Sequence, residues 1–215
     1  MVIDITKDAQ LATLDFEYSK TPNIRSYHPF PKPKKVNLSA AAELINGAKK
    51  PFILAGHGIQ IAGAQKEFKT FIEKTGIPVG CTCHGLSSIP SDHPLFMGML
   101  GMHGNYAPNI NTNRCDVLIA IGMRFDDRVT GNLSRYAKQA KIIHIEIDPS
   151  EIDKNVPVDI PILSDAKLAL KSLMPLVEKK TYPKWLANFD KLKKQELKQV
   201  INCLLYTSPS PRDRG

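Results

Sequence analysis

Five short apolar runs, at residues 51–55, 77–83, 117–121, 142–147 and 160–163, recur along the middle of the chain. The stretches between them carry helical rather than alternating periodicity. A strand that is apolar along its whole length has no side left for water, so both faces of its sheet must be covered. Such strands, joined by helices, make a parallel sheet with crossover connections. The predicted fold class is α/β: an open, mostly parallel Rossmann-like sheet with helices on both faces, spanning residues 37–178.

The helices have their own signals. Ser39 reads as a cap, followed by Glu43 and Leu44, with a stop near Gly47. Phe68, Phe71 and Ile72 form the buried stripe of a helix over 63–75. Ser164 or Asp165 caps a helix carrying Leu168, Leu170, Leu173 and Leu176. Residues 183–201 make a basic amphipathic helix with Trp185, Phe189, Leu192, Leu197 and Val200 on one side. That side is expected to dock on another part of a larger protein.

The flanks read differently. Val2, Ile3 and Ile5 predict a strand over residues 1–8, with no hairpin partner nearby. It is expected to be the last strand of a domain that begins elsewhere. Residues 9–36 read as a linker, because 20–35 hold four Pro and no helical period. Residues 179–202 lead onward as helix and linker. Residues 203–215 are Ser/Pro-rich and break every earlier pattern; they read as a non-native tail outside the fold.

Composition narrows the function classes. The net charge is +8 over 215 residues. Residues 20–35 carry five basic and no acidic side chains, and 179–198 carry seven Lys against Asp190 and Glu196, so each contributes +5. With +1 from 203–215, the remainder stands at −3. A near-neutral globular middle argues against nucleic-acid binding, which needs positive charge on the folded surface. No apolar run approaches the roughly 20 residues of a membrane helix, and acidic residues near the start argue against a signal peptide. Four Cys fit neither a disulfide scaffold nor a common zinc pattern, so a cytoplasmic protein is expected.

In open parallel sheets ligands bind beyond the carboxyl ends of the strands, so those ends hold the candidate site. Gly56-His57-Gly58 follows the first run and would let a phosphate approach backbone, with free N–H groups from the next helix; it also reads as a plain tight turn. Thr82-Cys83-His84-Gly85 follows the second, where Cys81 and Cys83 read as small buried residues on one strand face. Met102 and His103 lie in a flexible Gly/Met loop suited to a flat apolar ligand. Gly122 opens the stretch Met123 to Val129, in which Arg124 and Arg128 suit a diphosphate and Asp126 suits ribose or ribityl hydroxyls. A surface salt-bridge loop fits the same residues. Glu146 and Asp148 end a strand where an acidic residue often takes ribose hydroxyls. Asp165 and Ala166 open a helix and offer N–H groups, with an ordinary N-cap as the simpler reading. His144, inside an apolar strand, reads as a core histidine. Together these ends argue for a nucleotide-like ligand, with no catalytic constellation.

The runs GMLGMHGN (98–105), IGMRFDDRVTG (121–131) and IIHIEIDPSEI (142–152) resemble the acetolactate synthase (acetohydroxyacid synthase) large-subunit family of thiamine-diphosphate enzymes. The resemblance spans roughly residues 1–180. It implies three α/β domains in the parent enzyme, with this chain an internal fragment covering the central, FAD-binding one. It implies flavin contacts from Gly56, Gly58, Thr82, Cys83, Met102, His103, Gly122, Arg124, Asp126, Arg128, Val129, Glu146, Ile147, Asp165 and Ala166, and it sets Lys7 near the substrate channel. Thiamine diphosphate and Mg²⁺ would be held by other domains of the parent. The implied reaction joins two 2-keto acids, pyruvate with pyruvate or 2-ketobutyrate, with loss of CO₂, in branched-chain amino-acid biosynthesis. A homodimer or tetramer and a small regulatory subunit are the implied partners. The family's catalytic glutamate and Gly-Asp-Gly motif do not occur here, so the chain alone is expected to be inactive. Two departures stand out: Cys83-His84 where the family often has Leu-Gln, and Glu151 where it often has Asn. A pyruvate oxidase or glyoxylate carboligase type of central domain, or a non-enzymatic nucleotide-binding module, remains open. RFDDRVTG argues against the first pair; the unpaired first strand and aberrant tail argue against the module.

Overall fold

The computed structural model describes residues 3–18, 29 and 31–202. In chain order the elements are α1 (Lys7–Leu11), α2 (Lys35–Gly47), β1 (Pro51–Ala55), α3 (Gly58–Ile61), α4 (Gln65–Thr75), β2 (Val79–Cys81) and β3 (Phe96–Met99), then α5 (Tyr106–Thr112), β4 (Val117–Ile121), α6 (Asp127–Thr130), β5 (Lys141–Glu146), β6 (Ile160–Leu163), α7 (Ala166–Leu173) and α8 (Pro183–Glu196). The strands form one sheet in the order β3-β2-β1-β4-β5-β6. Every neighbouring pair is parallel, with Ile53 opposite Ile119 and Ile119 opposite Ile143 at the centre. This is the α/β sheet that the apolar runs predict.

Every residue of β1 and β4 is buried, so helices cover both sheet faces. α2, α4 and α7 pack together, and α5 packs on α8. Phe68, Phe71 and Ile72 of α4 are fully buried, as their spacing predicts. α7 starts at an Asp165 cap, whose carboxylate accepts from the Lys167 and Leu168 amides. Ser164 is buried and is not the cap.

Several expectations are corrected. Residues 3–6 form no strand, and Lys7–Leu11 is a short helix with no buried residue. A strand must exchange hydrogen bonds with a neighbour, and neither edge of this sheet supplies one. Helix α2 begins at Lys35, inside the expected linker, and Ser39 lies within it rather than at its cap. Most of 20–35 and all of 203–215 lie outside the described residues. The second strand ends at Cys81; Cys83 opens a 3₁₀ turn and is exposed, so the two cysteines share no strand face.

The sixth strand, β3, and helix α5 are not among the elements that the sequence pattern predicts. β3 contains Gly98 at φ +114° and no β-branched residue, and α5 contains Pro108 and two Asn, so neither carries the propensity of its element.

Helix α8 docks on this domain through Trp185, Phe189 and Leu192, which are all buried. Trp185 donates from Nε1 to the Pro51 carbonyl at 2.9 Å, and Phe189 stacks on Phe52 with centroids 5.1 Å apart. Leu197 and Val200 lie beyond this contact, 48% and 57% exposed. Phe189→Ala should therefore destabilise the domain by about 3–5 kcal/mol, the usual loss for a buried Phe. The midpoint of urea unfolding, followed by emission of Trp185, measures it; an unchanged midpoint would place α8 outside the cooperative unit.

Candidate functional site

The strand order reverses between β1 and β4, which opens a crevice beyond their carboxyl ends. The turns leaving these strands cross in direct backbone contact. Gly56 N–H donates to Ile121 O and Gly58 N–H to Gly122 O, both at 2.9 Å. A Cβ on Gly58 would lie 2.6 Å from Gly122 Cα, and one on Gly56 would lie 2.2 Å from Gly122 O. Gly122 itself sits at φ +56°, where L side chains are strained. These glycines let two backbones touch. Their amides are engaged inside the protein, and so are those of Ile59 and Gln60. The amides of the helix that follows the first strand, Gly58 to Ile61, are therefore not free.

Above the crossing lies a cavity of about 730 Å³. Gly58, Thr82, Cys83, Gly122, Arg124, Asp126, Arg128, Val129, Glu146, Ile147, Asp165 and Ala166 all line it, twelve of the fifteen expected flavin contacts. Gly56 lies beneath, against Gly122. Met102 borders a neighbouring cavity of about 320 Å³ that shares Arg128 and Val129, and His103 lines neither. The loop of Met102 is not free: its N–H donates to Arg128 O at 2.7 Å. Lys7 sits on α1, exposed and outside both cavities.

The wall also includes His57, Ile61, Ala62, His84, Met123, Ile145 and Ser164. His57, Met123, Ile145 and Ser164 adjoin strand ends and could have been found by position. Ile61 and Ala62 carry no sequence signal for it.

The charges are arranged with basic groups at the mouth and an acid below. Arg124 and Arg128 are 66% and 72% exposed, and their nearest carboxylates, Asp126 and Asp127, stand 3.9 Å away. That distance is too long for a hydrogen bond, so the guanidinium donors are available. Asp126 caps α6, accepting from Val129 N–H at 3.3 Å. Glu146 is buried, and its Oε1 accepts from the Ile147 and Asp148 amides at 2.9 and 3.3 Å. Desolvation holds its carboxyl above the ordinary carboxylate range. Beside it, His144 is fully buried, with Nε2 donating to Met123 O at 2.9 Å. Burial lowers its pKa and keeps it neutral, so it stands as the core histidine the sequence predicts.

Comparison with known proteins places this geometry. The profile of the thiamine pyrophosphate enzyme central domain matches residues 38–173. The chain belongs to this family. A probable acetolactate synthase large subunit of Methanocaldococcus jannaschii is 45% identical over 198 residues, 89% of this chain and 34% of its own length. The acetolactate synthase isozyme 3 large subunit of Escherichia coli is 37% identical over 183 residues, 84% of this chain and 32% of that protein. The chain thus spans about a third of the length of the curated relatives it matches. An X-ray structure from Mycobacterium smegmatis, described as a thiamin diphosphate-dependent enzyme, superposes with a TM-score of 0.60 at 28% identity. It covers 73% of this chain and 30% of the other. Among the described residues no helix is long and apolar enough to cross a membrane.

Two predictions arise from this central-domain cavity. Cys81 and Cys115 are buried with thiols pushed up to about 12, whereas Cys83 is exposed on the cavity wall. In a Cys203→Ser background, iodoacetamide should label Cys83 first, and a ligand filling the cavity should protect it; peptide mass spectrometry reads both. Glu146→Gln keeps the accepting Oε1 but removes the buried charge, so it should stabilise the fold at neutral pH. A raised folded pKa means that ionisation opposes folding above it. The gain should therefore shrink as pH falls through the raised value of Glu146 and vanish below the ordinary carboxylate range. Melting temperatures of both proteins across pH test this, and a gain independent of pH would refute it.

Proposed function

We propose that the cavity holds FAD and that the chain is the central, flavin-binding segment of an acetolactate synthase large subunit. One observation carries the reading: residues from separated strand ends, between Gly58 and Ala166 in sequence, converge on one cavity. Its chemistry suits a dinucleotide. Arg124 and Arg128 offer unengaged guanidinium donors for a diphosphate, and the recessed Glu146 offers a carboxylate oxygen for ribose hydroxyls. The cavity lies within the 300–1,000 Å³ or so common for small-molecule sites. Within the family resemblance, FAD bound there does no net redox work in acetolactate formation. The relatives, named as acetolactate synthase large subunits, support that parent reaction: condensation of two 2-keto acids with loss of CO₂. The reading includes assembly as a dimer or tetramer, a small regulatory subunit as partner, and a cytoplasmic setting.

In this reading thiamine diphosphate and Mg²⁺ are held by other domains of the parent enzyme, not by this chain. It has no Gly-Asp-Gly, and among the described residues no group of three or more His, Cys, Asp or Glu is placed to hold a metal ion. In this reading the chain by itself lacks synthase activity.

Titration of the purified chain with FAD should quench flavin fluorescence. Arg124→Ala should weaken that binding by roughly 1–3 kcal/mol, the scale of a charge-assisted hydrogen bond. An identical affinity in the variant would reject Arg124 as a contact, and no quenching by the unmodified chain would reject the site.

A further inference from the structure

We propose that Asn109, which does not line the nucleotide cavity, is a positioning residue for Arg128. The proposal rests on the nucleotide reading above.

Asn109 stands on α5 and clamps one residue with both arms of its amide. Its Oδ1 accepts from Gly101 N–H at 2.8 Å, and its Nδ2 donates to Gly101 O at 2.9 Å. Only this orientation of the amide pairs donor with acceptor twice, so the two bonds fix the side chain and the loop together. Gly101 is held at φ +103°, a conformation that needs glycine. A Cβ there would lie 2.7 Å from Arg128 O, so the clamped backbone presses directly on α6. Met102 N–H donates to the same carbonyl at 2.7 Å.

The guanidinium of Arg128 has no close side-chain partner to orient it. The nearest carboxylate, Asp127, is 3.9 Å away, and the side chain is 72% exposed. Its place in the cavity wall is therefore set by its backbone. That backbone is gripped from one side by the Asp126 cap and from the other by Gly101 and Met102. α5 is itself anchored to α8, where Asn188 donates to Asn111 Oδ1 at 2.8 Å. The clamp thus links the α5–α8 layer to a cavity residue without touching the ligand.

A double-mutant cycle on the full chain tests this, with FAD affinity and amide exchange of Met102 as the two measurements. Asn109→Ala should weaken FAD by roughly two- to tenfold, the range of a lost hydrogen bond. It should also speed exchange of the Met102 amide. In an Arg128→Ala background the affinity loss from Asn109→Ala should disappear, because nothing remains to position. Should Asn109→Ala fail to fold, Asn109→Asp, which keeps the accepting arm, serves in the same cycle. Equal fold-losses in both backgrounds, or unchanged exchange at Met102, overturn the positioning role alone. Absence of FAD binding by the unmodified chain overturns the nucleotide reading and this proposal together.

Discussion

The whole arrangement depends on backbone meeting backbone where β1 and β4 end. Gly56 and Gly58 lie against Gly122 so closely that a single methyl at any of them would overlap main-chain atoms. The hydrogen bonds across the crossing lock the turns in register with the sheet, since Gly122 N–H continues to Ile145 O. A crevice at a strand-order reversal is only as wide as these turns allow. Side chains here would push the turns apart and fill the space that the cavity occupies. The role of the glycines is therefore steric: they bring two loops together so that the residues after them can face one volume.

Around that crossing, charge is distributed by depth. Arg124 and Arg128 stay near water, where their ionised forms are solvated. Glu146 lies below, in a place that opposes its ionisation, and its carboxylate survives by accepting two backbone amides. Neighbouring His144 gives it no ion pair, because burial keeps that ring neutral and its Nε2 proton goes to Met123 O. A carboxyl whose burial opposes its ionisation is the kind of local conflict found at binding sites rather than in structural cores. Its position in the wall of the central-domain cavity agrees with that principle.

Elements with strong, regular signals are legible in the amino-acid sequence. Unbroken apolar strands such as 117–121 need cover on both faces, and the Phe68–Phe71–Ile72 stripe has one helical solution. Elements built against their propensity are not legible there. β3 and α5 exist because the sheet edge and α8 supply partners, with Gly98, Pro108 and the Asn residues accommodated rather than favoured. Residues 3–6 of the expected first strand form none for the complementary reason: among the described residues no strand lies beside them to pair with. The site divides in the same way. Arg124, Asp126 and Glu146 stand out because each lies at or just beyond the end of an apolar run, while Ile61 and Ala62 reach the cavity only through the placement of α3.

By itself the sequence determined the period of each segment, and with it a parallel sheet whose strand tips carry Gly, Arg, Asp and Glu. It also determined the family through GMLGMHGN, IGMRFDDRVTG and IIHIEIDPSEI. Only the tertiary structure decided which polar groups are open to a ligand and which are already engaged. The amides of Gly56 and Gly58 and the side-chain amide of Asn109 all look available or unremarkable in one dimension. Their partners lie on other elements or close by a turn of chain, and hydrogen bonds are consumed pairwise in space. A linear pattern fixes which side of its own strand or helix a group occupies, but not what reaches it from another element.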